Sequence, residues 1–209
     1  MPMELREKLN PKHTALIVID VQVDFASPDG FLAVNRGRDL SMMEGTIDRI
    51  QKTVEDAKKA GILTLYIQEV YDRSRLSELQ REQYDLDGRL EVCDKAGDGW
   101  KFYRIDPPQE FVIQKVAHSA FSNPELHKRL IAHGVKTLVL TGMDSYTCVE
   151  TTIRDGSDLG YKIVVPSDLV AGNAAHMDWH ERMLAMVKNT YGVVVNSRDL
   201  QKIWEEYQS

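Results

Sequence analysis

Hydrophobic residues occur along this chain in short continuous runs, and segments with helical spacing lie between them. The first run, from Thr14 to Ile19, is rich in β-branched and aliphatic residues and ends at Asp20. Continuous runs of this kind are typical of strands buried on both faces of a sheet. Five further runs predict strands at 62–67, 111–113, 138–140, 161–165 and 193–195.

The intervening segments have the spacing of amphipathic helices. From Met42 to Ala60 apolar residues recur at helical spacing, and Gly61 follows, as is common after a last helical turn. Asn123 followed by Pro124 is typical of a helix start. Two more helices are predicted at about 147–159 and about 176–188.

This alternation predicts an α/β fold of three layers, a doubly wound and mostly parallel six-stranded sheet with helices on both faces. No repeat or linker interrupts it, so we expect one domain over residues 1–209. The charged segment 71–109 is the exception. A connection of that length inside a compact domain is usually functional, so we interpret it as a lid or a subunit contact, the alternative being a surface excursion without a role.

Composition and charge narrow the functional classes. The chain is 43% hydrophobic and 28% charged, as in ordinary globular proteins. A net charge of −6 does not favour nucleic acid or an anionic membrane surface as a partner. No apolar run is long enough for a membrane span, and the first residues lack the apolar segment of a secretory signal. We therefore expect a cytoplasmic protein with Cys93 and Cys148 reduced.

Three polar residues follow predicted strands, at the edge where α/β sheets bind ligands. Asp20 ends the first strand, Lys115 ends the third, and Cys148 comes after the fourth. Each alone has an ordinary structural interpretation: a turn-forming aspartate, a solvated lysine, and a cysteine packed as a small hydrophobic residue.

Together the three residues supply complementary chemistry. A nearby ammonium group and a helix N-terminus favour the thiolate, and a carboxylate can carry its proton. The combination favours Cys148 as a nucleophile, Lys115 as the cation and Asp20 as the acid/base group. We expect no histidine to be equally suited to that last role.

Three motifs resemble those of the isochorismatase-like cysteine hydrolases. ALIVIDVQVDF at 15–25 resembles their opening strand, with its Asp-x-Gln-x-Asp-Phe signature, and VIQKVAHSAF at 112–121 resembles their lysine motif. TGMDSYTCVETT at 141–152 is similar to their cysteine motif, Thr-Gly-x-x-Thr/Ser-x-x-Cys-Val. The motifs occur in the family order, and the resemblance extends from Thr14 to about Leu200.

The resemblance implies a catalytic triad of Asp20, Lys115 and Cys148. It also implies a cis peptide bond between Met143 and Asp144, and an oxyanion hole formed by the backbone N–H groups of Asp144 and Cys148. The family usually has a small hydrophobic residue where Asp144 stands. The expected reaction is hydrolysis of an amide-type C–N bond through a thioester on the cysteine.

The absence of a histidine motif bears on the substrate class. Nicotinamidases of this family hold a metal with an Asp-x-His motif and further histidines after the second strand, whereas residues 67–73 here read IQEVYDR. We therefore expect no metal and no other cofactor. His176 and His180 have the spacing of a two-ligand site but lack an apparent third ligand, so a helix-surface or packing role is the favoured interpretation. Among the branches of the family, the chain therefore resembles the metal-free amidohydrolases that act on small amide, carbamoyl or ureido compounds.

The contacts with such a substrate are predicted from residues close to the motifs and in the insertion. Basic residues of the insertion can bind a substrate carboxylate, the alternative for each being an exposed charge on a lid, and its aromatic residues can line a pocket or a subunit contact. We assign substrate binding to Phe25, Glu69, Arg73 and Tyr146. The further candidates are Arg75, Trp100, Lys101, Phe102, Tyr103 and Arg104.

Two alternatives stay open at this point. One is a nicotinamidase or an isochorismatase-type hydrolase, and the other is a non-catalytic binding or scaffold protein with the same fold. The resemblance also implies a homo-oligomer, either a dimer or a tetramer.

Overall fold

The computed structural model describes residues 3–87 and 92–208, which contain one six-stranded sheet. The strands follow the order β3-β2-β1-β4-β5-β6, and every ladder is parallel. The predicted α/β fold is confirmed. The strand bounds are β1 Thr14–Ile19, β2 Leu63–Glu69, β3 Val112–Lys115, β4 Thr137–Gly142, β5 Lys162–Pro166 and β6 Gly192–Val195.

Helices flank both faces of this sheet. Four of them correspond to the predicted segments, including one that begins at Pro124, where the side chain of Asn123 accepts a hydrogen bond from the backbone N–H of Glu125. The helix bounds are α1 Met3–Lys8, α2 Val23–Ala26, α3 Phe31–Arg36, α4 Met43–Lys59, α5 Glu78–Asp87, α6 Pro124–Ala132, α7 Glu150–Asp158, α8 Met177–Met186 and α9 Ser197–Glu206. No helix within the described ranges is long and apolar enough to cross a membrane.

The alternation of side chains along β1 explains the three layers. Leu16 and Val18 belong to a buried cluster that includes residues of α4 and α9. Ala15, Ile17 and Ile19 belong to a second cluster, which includes residues of α6, α7 and α8. Because successive residues of a strand face opposite sides of the sheet, a strand buried on both faces must be apolar throughout.

The strand order creates a crevice at the carboxyl end of β1. The chain goes from β1 outward through β2 to β3 on one side, and from β4 outward through β5 to β6 on the other. A reversal of this kind is where ligands bind in open α/β sheets. Gly142, at the end of β4, allows a close approach there, since a Cβ atom at this position would lie 2.0 Å from the carbonyl oxygen of Ile19.

The segment between β2 and β3 folds back onto the edge of the sheet. At its start, the backbone N–H of Tyr71 donates to the carbonyl of Cys93 over 3.0 Å, and Tyr71 forms a bridge with Asp94. The returning arm, defined here as residues 92–103, then lies beside residues 21–24, for example with a 2.9 Å hydrogen bond from the N–H of Tyr103 to the carbonyl of Val21.

Candidate active site

The three predicted catalytic residues meet at the carboxyl end of the sheet. The ammonium nitrogen of Lys115 lies 2.8 Å from Oδ2 of Asp20 and 3.6 Å from the sulfur of Cys148. The side chains of Lys115 and Asp20 have no solvent exposure, and Cys148 is buried. Asp20 also has φ 52°, a conformation uncommon outside glycine that recurs at functional sites.

A fourth charged residue, Glu69, completes this group. Its Oε2 lies 2.7 Å from the ammonium nitrogen of Lys115 and 3.7 Å from the sulfur of Cys148. The contact follows from strand register, because Glu69 and Lys115 are paired residues of β2 and β3. The sequence predicts substrate binding for Glu69, and in the structure its carboxylate contacts Lys115 and Cys148. Asp20, Glu69, Lys115 and Cys148 are called the charge cluster below.

Burial and the Lys115 ammonium group determine how the acids of the charge cluster ionise. Burial raises the pKa of Asp20 to about 7, with the charge of Glu69 adding to the effect and Lys115 opposing it. For Glu69 the burial effect is outweighed by Lys115 together with His118 and Cys148, so its pKa lies below the ordinary value. Glu69 is therefore the ionised partner of Lys115 near neutral pH, and Asp20 is poised to exchange a proton.

The thiol of Cys148 is protonated in the resting site. Burial raises its pKa well above the ordinary value; the charge of Lys115 opposes this effect, whereas the charges of Asp20, Glu69 and Asp144 reinforce it. Lys115 itself remains charged, because its acidic neighbours raise its pKa well above the ordinary value despite its burial. Ionisation of the thiol therefore needs a nearby base.

The turn before Cys148 has the geometry that the resemblance implied. The peptide bond between Met143 and Asp144 is cis. Residues Ser145–Val149 form one π-helical turn that leads directly into α7. The helix thus begins close to the predicted position, and Cys148 lies at its N-terminal end. The N–H groups of Asp144 and Cys148 remain our prediction for an oxyanion hole.

Asp144 makes a contact that its sequence position did not suggest. Its carboxylate is bound by both terminal nitrogens of the Arg38 guanidinium group, with Nη1 2.7 Å from Oδ1. The two side chains are only 8% and 11% exposed, so this is a largely desolvated ion pair next to the nucleophile turn.

Gln22 and Asp24, the two other polar residues of the first motif, form hydrogen bonds with the backbone of neighbouring segments. The side chain of Gln22 donates to the carbonyl oxygens of Glu69 and Trp100, over 2.7 and 2.8 Å, and accepts from the N–H of Glu69 over 2.7 Å. Asp24 accepts hydrogen bonds from the N–H groups of Phe31, over 2.9 Å, and Cys93, over 2.6 Å. Both residues tie the insertion to the end of β1.

The two cysteines differ in their surroundings. Neither is in a disulfide bond, and both are buried. Cys93 is fully buried beside Gln22, whose side-chain nitrogen lies 3.4 Å from its sulfur. It belongs to the packing of the insertion against the sheet.

The remaining residues assigned to substrate binding lie in different environments. Phe25 is buried in the hydrophobic cluster that includes residues of α4 and α9. Tyr146 packs edge-on against Trp179, and its hydroxyl accepts from the N–H of Asn173 over 3.2 Å.

Arg73 is exposed and forms a bidentate ion pair with Asp85, with Nη1 2.6 Å from Oδ1 and Nη2 2.7 Å from Oδ2. The structure places this guanidinium against an acid of the insertion. Two of the other basic candidates, Lys101 and Arg104, are likewise paired with acids, Asp98 and Asp48.

A histidine, His118, also lies at the site, although the sequence predicts no histidine suited to the acid/base role. Nδ1 of the exposed His118 is 3.9 Å from the sulfur of Cys148. Among the described residues, Glu69, His118 and Cys148 form a group whose potential metal-binding atoms lie within 4.8 Å of one another. The ammonium group of Lys115 contacts two of these three residues, so the position already holds a positive charge. The expected absence of a metal stays a prediction.

His180 in α8 and His176, which directly precedes this helix, contact different residues. Nδ1 of His180 lies 3.0 Å from the hydroxyl of Ser145, and the ring of His176 stacks on Trp179 with centroids 4.4 Å apart. Their contacts agree with the packing interpretation.

Known proteins are similar to this chain in both sequence and architecture. Residues 14–199 match the isochorismatase domain model. Over 220 residues, which cover 96% of this chain and 87% of the relative, the chain is 31% identical to the ureidoacrylate amidohydrolase RutB of Acinetobacter baylyi. A second RutB, from an Enterobacter species, is 33% identical over 177 residues, or 76% of this chain and 75% of that protein.

Solved structures give the same result for the fold. A cysteine hydrolase from Pseudomonas syringae pv. phaseolicola superposes with a TM-score of 0.82 at 24% identity, over 95% of both chains. The N-carbamoylsarcosine amidase of Thermoplasma acidophilum has a TM-score of 0.68 at 24% identity, over 88% of this chain and 96% of that one. Since the domain model spans most of the chain, this protein belongs to the isochorismatase family and is an isochorismatase-like cysteine hydrolase.

Proposed function

We propose that this protein is an amidohydrolase that cleaves a C–N bond of a small amide, carbamoyl or ureido compound through a thioester on Cys148. The observation that carries the proposal is the charge cluster, in which one buried ammonium group contacts two carboxylates and the thiol. The similarity to proteins named ureidoacrylate amidohydrolase favours a ureido compound among these substrates.

The first step transfers the thiol proton of Cys148 to Asp20. An acid with a pKa of about 7 is matched to this role near neutral pH, since it is ionised in an appreciable fraction of molecules and still basic enough to accept a proton. The transfer moves a negative charge from one neighbour of Lys115 to another. The ammonium group contacts both, so the charge has a partner before and after the transfer.

The thiolate then attacks the carbonyl carbon of the substrate. A sulfur–carbon bond forms, and the electron pair of the carbonyl π bond moves to oxygen. The proposed oxyanion hole, formed by the N–H groups of Asp144 and Cys148, donates hydrogen bonds to this oxygen.

Collapse of the intermediate breaks the C–N bond, and protonated Asp20 gives its proton to the departing nitrogen. A water molecule, deprotonated by Asp20, then attacks the thioester. The sulfur leaves as the thiolate and regains a proton from Asp20, so the acid and the amine or ammonia are released and the enzyme is restored.

The insertion supports the site from one side. We treat residues 71–109 as part of a single domain rather than as a separate unit. In support, the side chains of Gln22 and Gln68 both donate to the carbonyl of Trp100 in the returning arm, Gln68 over 3.0 Å. Gln68 lies in β2, directly before Glu69. Assembly into a dimer or tetramer stays a prediction.

A panel of small ureido, carbamoyl and simple amide compounds, with nicotinamide included, tests the proposal through release of ammonia. We expect turnover of at least one ureido or carbamoyl compound and a covalent acyl adduct on Cys148, detected by intact mass and located by peptide mapping. Full activity in a Cys148→Ala variant would contradict the scheme.

A further inference from the structure

The ion pair between Arg38 and Asp144 joins two parts of the active site. Arg38 lies in the connection between α3 and α4, and its Nη1 also donates to the carbonyl oxygen of Phe25 over 3.1 Å. Phe25 belongs to the short helix α2, which follows Asp20. A single guanidinium group therefore binds both the segment after the acid/base residue and the turn that carries the nucleophile.

The neighbouring backbone holds this guanidinium group in place. The N–H of Asp39 donates to the side-chain oxygen of Asn173 over 3.1 Å, and the carbonyl of Asp39 accepts from the N–H of Ala174 over 3.2 Å. The N–H of Asn173 in turn donates to the hydroxyl of Tyr146, inside the nucleophile turn. The loop that carries Arg38 is thus bound to residues 173–174, and Asn173 in turn binds Tyr146 of the nucleophile turn.

Asp144 presents an electrostatic problem for a cysteine nucleophile. Its carboxylate lies in the turn that ends at Cys148, and it is one of three acids whose charge opposes ionisation of the thiol. An attack on a carbonyl also develops negative charge on oxygen beside this turn. In a water-poor site, an unpaired carboxylate would disfavour both the thiolate and the oxyanion.

We propose that Arg38 is a positioning residue that cancels the charge of Asp144 beside the nucleophile and ties the Cys148 turn to the segment following Asp20. This inference rests on the proposed function only in taking Cys148 as the reactive thiol. It predicts effects of opposite sign for the two partners. Removing Arg38 leaves an unpaired carboxylate, which makes the thiol less acidic, and removing the charge of Asp144 leaves an unpaired cation, which makes it more acidic.

The test measures alkylation of Cys148 by iodoacetamide as a function of pH in the full chain, with the modified residue located by peptide mass spectrometry. The variants are Arg38→Met, Asp144→Asn and the double variant. We expect Arg38→Met to slow alkylation at a fixed pH below the thiol pKa about tenfold, which corresponds to a pKa increase of about one unit. We expect Asp144→Asn to accelerate alkylation, and the double variant to return within about threefold of wild type.

A matched control is Arg49→Met, which removes an exposed arginine that pairs with Asp168 at 3.6 Å. It should leave the alkylation profile unchanged. A purely structural role for the pair predicts changes of the same sign in both single variants, and no recovery in the double variant. Either result would overturn the inference, as would an unchanged profile for Arg38→Met.

Two features keep the result unambiguous. If Arg38→Met does not fold, Asp144→Asn alone decides the question, because a rate equal to or below that of wild type contradicts the inference. Alkylation also needs no substrate. A protein that hydrolyses no amide but shows the opposite-sign pattern refutes the proposed function alone, and an active enzyme without the pattern refutes the role of Arg38 alone.

Discussion

The carboxylate of Glu69 lies 3.7 Å from the sulfur of Cys148, although 79 residues separate the two in the chain. The ammonium group of Lys115 contacts both, at 2.7 and 3.6 Å. Glu69 thus contributes to the electrostatic balance of the site: it stabilises the charged lysine, and it opposes negative charge on its neighbours.

Replacing Glu69 by Gln tests this balance. The amide retains the size of the side chain but removes a negative charge that raises the pKa values of Asp20 and Cys148. We expect the acidic limb of the kcat/KM profile to move to lower pH, measured with a substrate identified from the amide panel. A limb that moves to higher pH would contradict the assigned role.

In the proposed mechanism, the pH dependence of the wild-type enzyme reports on Asp20. Its carboxylate must be ionised to accept the thiol proton, and burial raises its pKa to about 7. We therefore expect kcat/KM to rise with pH through about 7. In Asp20→Asn this limb should disappear, with activity lowered by a factor of about 10²–10⁴, as for loss of a general acid/base. A limb that persists in the variant would show that another group titrates.

The two buried cysteines provide a matched pair of variants. Cys148→Ala should remove turnover while the protein remains folded. Cys93→Ala should retain turnover and lower the free energy of unfolding by about 1 kcal/mol, because it leaves a small cavity in a packed region. Activity assays and denaturant unfolding of both variants check this. Loss of turnover in Cys93→Ala would show that Cys93 is needed for activity as well as for packing.

Two glycines of the insertion allow a similar comparison. A Cβ atom at Gly99 would lie 2.0–2.3 Å from the carboxylate of Asp24, whereas at Gly97 the nearest atom, the carbonyl oxygen of Asp94, is 4.0 Å away. Gly99→Ala must displace a carboxylate that accepts two backbone hydrogen bonds. We expect it to lower the free energy of unfolding by about 1–3 kcal/mol and to speed proteolysis of the insertion. Gly97→Ala should behave like wild type.

His180 makes stability depend on pH. Burial lowers its pKa below the ordinary 6.5, so the unfolded chain binds more protons than the folded one in the pH range just below 6.5. Its contribution to stability is therefore present above pH 6.5 and decreases as pH falls below it. We expect the loss of unfolding free energy between pH 7.5 and about 5.5 to be smaller in His180→Gln, measured by denaturant unfolding against wild type. An equal loss in both proteins would assign the effect to other groups.

The fold was predictable because strands buried on both faces leave continuous apolar runs in the sequence. The meeting of Asp20, Lys115 and Cys148 was predictable for a related reason, since the carboxyl ends of parallel strands share one edge. The cis bond at Met143–Asp144 came from the resemblance and not from the residues.

Other parts of the site depend on register and side-chain direction, which the sequence does not encode locally. The predicted second strand ended at residue 67, and β2 continues to Glu69, which is what pairs this acid with Lys115. Arg38 and Asp144 are 106 residues apart, with no motif to connect them. His118 follows Lys115 closely, but whether its ring turns toward Cys148 depends on the loop after β3.

The hydrogen bond between Tyr71 and Cys93 has a consequence for how this enzyme can be redesigned. The chain leaves β2 and returns at nearly the same point, so the residues between Tyr71 and Cys93 form a cassette closed at its base. Exchanging a cassette for one twice as long costs about 0.6 kcal/mol of additional closure entropy. The charge cluster and Gln22 lie outside this cassette, so its length can be changed without replacing them, whereas Arg73, assigned above to substrate binding, lies within it and must be kept.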